Sequence, residues 1–191
     1  RGGEEAANRE TVEVAAHFLG KGVCAVDLAG AEALYPTQEY QPLFAYAQSL
    51  GVPFTLHAGE AAGPESVWQA LELGAARIGH GVRAGEDPRL VEELARRRVP
   101  LELCPTSNLQ TKAVPDLAHF PLKEYLAQGV AATVNTDNMT VSRTTLAQEF
   151  ASLRLSPQER RAVLLHSAEA AFLPPAQKAA LRQAVEAALA H

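Results

Sequence analysis

A histidine and a glutamate, His57 and Glu60, close the short apolar run Phe54-Thr55-Leu56, with Ala58 and Gly59 between them. Imidazole and carboxyl side chains take up, release and steer protons near neutral pH, and a glycine between them lets the backbone turn closely around whatever is bound. Other apolar runs end in the same way. Ile78-Gly79 leads to His80, Leu103-Cys104-Pro105 to Thr106-Ser107-Asn108, and Val134-Asn135-Thr136 to Asp137-Asn138. Val26-Asp27-Leu28-Ala29 carries an aspartate and ends on Gly30.

These residues need elements that bring them to one place. Strand patterns cover residues 23–30, 52–57, 76–80, 100–105 and 130–136. Helical patterns separate them at residues 4–19, 39–50, from Pro64 to a Gly74 cap, at 89–98 behind the Asp87-Pro88 start, and at 122–128. Three further helices are expected at 144–155, from the Ser156 capping box to about 172, and at 174–190. Five strands alternating with helices predict an α/β fold of parallel βα units with right-handed crossovers. In such a sheet every strand's carboxyl end lies on one face, so the polar groups above share a single mouth. A barrel-type sheet of about five units, with extra C-terminal helices, is favoured over an open sheet for residues 1–191.

Composition narrows the function. The 191 residues are 47% hydrophobic and 20% charged, with a net charge of −5. Arg96-Arg97-Arg98 is the one basic block and reads as charge complementing a helix C-terminus, so neither nucleic acid nor an anionic membrane is an expected partner. Cys24 and Cys104 sit in apolar runs and are expected as buried, reduced thiols in a cytoplasmic protein. No glycine-rich dinucleotide turn and no phosphate loop occurs.

The ordered set His57-Ala58-Gly59-Glu60, Ile78-Gly79-His80-Gly81, Cys104-Pro105-Thr106-Ser107-Asn108 and Asn135-Thr136-Asp137-Asn138, preceded by Asp27-Leu28-Ala29-Gly30, resembles the motifs of adenosine deaminases, which are metal-dependent amidohydrolase barrels. The resemblance runs from about residue 22 to residue 150, and it implies that the chain is the C-terminal part of a (β/α)8 barrel domain, a partial barrel of about five βα units with extra C-terminal helices. It implies zinc-dependent hydrolytic deamination of adenosine and deoxyadenosine, with a small purine nucleoside as partner. His57 and Asp137 would ligate Zn2+. Glu60 would hold a proton and donate it to the purine N1, and His80 would orient or deprotonate the attacking water. Gly30 would offer its N–H to the purine N3. Asn138 stands where many relatives have a second aspartate, and its amide would donate to N7. Asp27 is expected behind the site. Ser107 and Asn108 are read either as hydrogen bonders supporting the site or as strand-end caps, with caps favoured, and His17, His119, His166 and His191 as surface or structural residues.

The family also uses a His-x-His pair on the first barrel strand, which this chain does not contain. The first residue is Arg1 and the only methionine Met139, so the chain is expected to be the C-terminal portion of a longer deaminase, with an incomplete metal site of its own. Open sheet edges would then pair with the missing N-terminal part or with a second copy. An adenine or other aminopurine deaminase on the same barrel, and a non-catalytic purine- or partner-binding remnant, are the alternatives.

Overall fold

The computed structural model describes residues 1–190; His191 lies outside the described residues. Five parallel strands run in chain order across one sheet: β1 (Val26–Leu28), β2 (Phe54–Ala58), β3 (Arg77–His80), β4 (Leu101–Leu103) and β5 (Ala132–Val134). Helix α1 (Glu5–Phe18) precedes β1, and the helices that separate the strands are α2 (Gln41–Ser49), α3 (Pro64–Glu72), α4 (Pro88–Arg97), α5 (Pro105–Gln110) and α6 (Leu122–Ala127). Beyond β5 come α7 (Met139–Ser142), α8 (Leu146–Ser152), α9 (Pro157–Ala170) and α10 (Pro175–Ala188). The architecture is the expected arc of a barrel, with β1 and β5 at its ends.

Period-two alternation sorts the strand residues onto two faces. The register aligns Val26 with Phe54 and Leu28 with Leu56, Leu56 with Ile78, Ile78 with Leu101, and Leu101 with Ala132. These side chains meet the helices: Leu56, Ile78, Leu101 and Ala132 are 0% exposed and pack with Phe44, Val67, Leu90, Leu94 and Val163. Burying one such side chain is worth roughly 1.5–3 kcal/mol, so this face holds the arc together. The opposite face carries Asp27, Thr55 and Arg77 in one row and His57, Gly79, Glu102 and Thr133 in the next.

Local signals set the helix ends. Asp87 caps α4 by accepting from the Arg89 N–H at 3.0 Å, with Pro88 at the first helical position. Ser156 and Glu159 close a reciprocal capping box on α9. Two short helices depart from the expected pattern. α5 begins directly at Pro105, so Ser107 and Asn108 lie within a helix, and the stretch expected as one helix over 144–155 contains only α8. Both α5 and α7 are too short to carry a helical period, so their form is decided by tertiary contacts. Cys24 corrects the expectation of two buried thiols: it is exposed, and Cys104 alone is buried. An apolar run cannot by itself say how much of a strand's approach the helices cover. The arginine triplet is committed to ion pairs, Arg96 and Arg97 with Glu93 and Arg98 with Glu169. Among the described residues, no helix is long and apolar enough to cross a membrane.

Candidate active site

Four polar side chains gather at the carboxyl ends of β2, β3 and β5. His57, near the end of β2, lies across the neighbouring strand over Gly79. A Cβ built on Gly79 would come 2.9 Å from His57 Nδ1, so only glycine leaves room for the ring. His57 Nδ1 meets Asp27 Oδ1 at 3.0 Å, which realises the supporting role expected of Asp27. A carboxylate can only accept, so Nδ1 carries the proton and Nε2 keeps its lone pair. Burial disfavours a charged His57 ring, but the Asp27 hydrogen bond and the carboxylates of Asp27, Asp137 and Glu60 outweigh it and raise the pKa.

His80 ends β3 in the left-handed region (φ 60) and is 2% exposed. Asp137, just past β5, adopts the same conformation (φ 54). Non-glycine residues held there cost of order 1–3 kcal/mol each, and such positions concentrate at functional sites. The His57 and His80 rings meet edge to face with centroids 4.8 Å apart, and His80 Nε2 lies 3.4 Å from Glu60 Oε2. Burial lowers the His80 pKa despite the pull of Glu60, so the ring is neutral at physiological pH.

Ser107 and Asn108 hydrogen-bond to the site side chains, the less favoured of their two expected readings. Ser107 Oγ donates to Asp137 Oδ2 at 2.6 Å. Asn108 Nδ2 reaches both Glu60 Oε1 at 3.1 Å and His80 Nδ1 at 3.0 Å, and Thr111 Oγ1 donates to Glu60 Oε1 at 3.0 Å. The helix that presents them is seated by Glu149, a carboxylate 0% exposed that accepts from the Thr106 N–H at 3.0 Å and from Thr144 Oγ1.

Glu32 escaped the sequence reading. Its carboxylate accepts from the backbone N–H groups of Gly59 (2.7 Å), Glu60 (3.1 Å), Ala61 (2.7 Å) and Ala62 (3.0 Å), and from Ser66 Oγ (2.6 Å). Burial opposes its charge, yet these donors win and hold the Glu32 pKa below the ordinary carboxylate value. The turn it grips needs Gly59: φ is +69°, and a Cβ would stand 2.5 Å from Val67 Cγ2. The only signal in the chain was an acid shortly after the strand-end Gly30. Arg1 was likewise unassigned; its guanidinium donates to the Tyr35 carbonyl at 2.6 Å, to Thr37 Oγ1 at 3.1 Å and to the His57 carbonyl. On the β3 side, Tyr125 from α6 pins the loop after His80, accepting from the Gly85 N–H at 2.8 Å and sharing its hydroxyl proton with the carbonyls of Gly81 and Val82.

The remaining candidates sit at the rim. Asn138 caps α7, its Oδ1 accepting from the N–H groups of Thr140 (3.1 Å) and Val141 (3.0 Å), which leaves its amide N–H groups to donate elsewhere. Gly30 turns at φ 114 beside the Arg1 backbone. His166 takes a structural place, Nδ1 3.2 Å from the Ala132 carbonyl, and His119 pairs with Asp116 at the surface.

The donor set fits part of a metal site. His57 Nε2 and Asp137 Oδ1 are one nitrogen and one oxygen, each oriented by a partner on its other atom, as borderline divalent metals require. Among the described residues, no three His, Cys, Asp or Glu side chains converge closely enough to hold a metal by themselves.

Comparison with known proteins places this arrangement. An adenosine deaminase of Haemophilus ducreyi is 54% identical over 182 residues, spanning 92% of this chain and 53% of that protein. Among solved structures, an adenine deaminase from Arthrobacter aurescens matches with a TM-score of 0.87 at 30% identity, over 96% of this chain and 58% of that one. The N6-methyl-AMP deaminase from Arabidopsis thaliana matches with a TM-score of 0.82 at 29% identity, over 96% and 55%. The chain thus spans little more than half the length of the relatives it matches. A family model described as adenosine deaminase matches residues 1–188, and on that match, over nearly its whole length, the chain belongs to the adenosine deaminase family.

Proposed function

We propose that the intact protein catalyses the zinc-dependent hydrolytic deamination of adenosine and deoxyadenosine, releasing ammonia and the corresponding inosines. The observation that carries this reading is the convergence of His57, Glu60, His80 and Asp137 at the mouths of three strands, with each side chain already held by a second residue. His57 Nε2 and Asp137 Oδ1 would hold the metal. When bound, zinc supplies Lewis-acid activation of water.

The chain's own residues do the rest. Glu60 Oε1 accepts from both Asn108 and Thr111, so a proton carried by Glu60 sits on Oε2, from which it is delivered to the purine N1 as C6 is attacked. His80, neutral and buried, presents its Nε2 toward the same space. Ser107 fixes Asp137 by one oxygen and leaves the other for the metal. Asn138, already committed through Oδ1 to α7, donates from its amide to the base at N7, and the Gly30 N–H serves N3.

Two protein ligands are too few for a zinc site, which takes at least three. The remaining ligands, in this reading, come from a further part of the intact protein that closes on the edges of β1 and β5, or from a second copy docked there; the cytoplasmic setting belongs to the same proposal. Adenine is the second substrate to consider, because the solved adenine deaminase shares 30% of its sequence; the 54% shared with the H. ducreyi adenosine deaminase favours the nucleoside. The test is turnover of adenosine, deoxyadenosine and adenine by the intact protein, with and without added zinc, followed by ultraviolet absorbance. Zinc-dependent loss of adenosine is expected. Turnover of adenine alone would move the assignment to the free base, and purine binding without turnover would make the protein a binding remnant.

A further inference from the structure

Asn108 is 0% exposed and uses every atom of its amide on the site. The Cys104 N–H donates to its Oδ1 at 3.2 Å, which fixes which end of the amide is oxygen. The nitrogen end therefore faces Glu60 Oε1 at 3.1 Å and His80 Nδ1 at 3.0 Å. An amide nitrogen donates and never accepts, so His80 Nδ1 must be the acceptor. A ring protonated at Nδ1 would set one N–H against another at 3.0 Å. The ring's proton is thus confined to Nε2. That nitrogen lies 3.4 Å from Glu60 Oε2, longer than an ordinary N–H···O bond, so its N–H remains available to a further acceptor in the mouth of the site.

We propose that Asn108 is a positioning residue that locks His80 as its Nε2–H tautomer, so that His80 donates a hydrogen bond to the attacking oxygen and steers it, while the same amide holds Glu60 in reach of the base. This deepens the deaminase reading and rests on it for the identity of the nucleophile; the tautomer itself does not depend on that reading. Of the two roles expected for His80, orienting the water and deprotonating it, the lock selects the first, because Nε2 already carries a proton and the ring's one basic lone pair, on Nδ1, is engaged by Asn108.

Nitrogen-15 NMR of histidine-labelled intact protein tests the lock directly, with His80→Gln used to assign the ring. Protonated Nε2 and bare Nδ1 at His80 are expected in the unmodified protein; an Nδ1–H ring would overturn the proposal. Asn108→Leu, nearly the same shape without the donors, is expected to let His80 populate both tautomers. Its kcat should fall roughly 10- to 100-fold, the range for losing a residue that orients a catalytic group, with KM changed much less. Loss of activity with the His80 tautomer unchanged would make Asn108 merely structural and overturn the proposal, as would unchanged kcat. If Asn108→Leu does not fold, the unmodified spectrum still decides. If the unmodified protein leaves adenosine intact, the deaminase reading fails separately, while the spectrum still rules on Asn108 and His80.

Discussion

The two faces of the sheet are made by the same strands and do opposite work. Toward the helices, Leu56, Ile78, Leu101, Leu103 and Ala132 are fully buried among aliphatic and aromatic partners. On the other face, Asp27, His57, Arg77 and Glu102 stand in adjacent rows, and they are paired among themselves. Asp27 holds His57; Arg77 reaches Glu102 at 2.8 Å and stacks on the Phe172 ring at 3.9 Å. Burial raises the Glu102 pKa in spite of Arg77. Removing one partner of a buried ion pair costs about 3–5 kcal/mol, whereas replacing the whole pair with apolar groups is often neutral or stabilising. The polar face therefore adds little to stability, and the apolar face has no chemistry. Stability and function are separated by one residue along each strand.

That separation can be attacked from either side. The largest effect is expected from Glu60→Gln, which in the proposed reaction removes the proton donor and no ligand: deamination by the intact protein should fall roughly 10²- to 10⁴-fold with the melting temperature nearly unchanged. Near-normal turnover would remove Glu60 from the acid role. Leu56→Ala does the reverse, leaving the polar row in place while opening a cavity in the core; chemical denaturation should show a loss of about 2–5 kcal/mol. A loss below 1 kcal/mol would mean that the helices collapse onto the gap.

Glu32→Gln crosses the boundary, because Glu32 is a buried acid that serves the catalytic turn. Replacing its second oxygen with an amide that cannot accept should destabilise by about 3 kcal/mol and lower activity together. The sign of its pH dependence follows from the depressed native pKa. The stabilisation is complete above the unfolded value of 4.5 and is lost as the pH falls through the lower native value. Acid unfolding of the parent should therefore contain a component below pH 4.5 that Glu32→Gln lacks. Tyr125→Phe should be mildest, about 1–3 kcal/mol, from the Gly85 N–H left without its acceptor. No change in stability would show that water replaces the hydroxyl there.

What could be read without coordinates were features with a period or a motif. The strand runs ending at Gly30, His57, His80, Thr106 and Thr136 predicted the five parallel strands and their order, and Asp87-Pro88 and Ser156-Pro157-Gln158-Glu159 marked two helix starts that the structure keeps. Asp27 could be placed behind the site because it lies on a strand that precedes His57 in the alternation. Ser107 and Asn108 were weighted toward caps because α5 has only six residues, too few for a helical period, and a serine or asparagine after a strand is more often a cap.

The order of the βα units, the apolar side of each strand and the residue types at the strand mouths were determined by the amino-acid sequence alone, since alternation and turn chemistry are local properties written residue by residue. Tertiary structure decided which atoms meet. Glu32 reaches a turn some thirty residues further along the chain, and Asn108 divides one amide between Glu60 and His80. Neither could be anticipated, because a hydrogen bond is fixed by the distances and directions that the packed strands impose, and those exist only once the chain has folded.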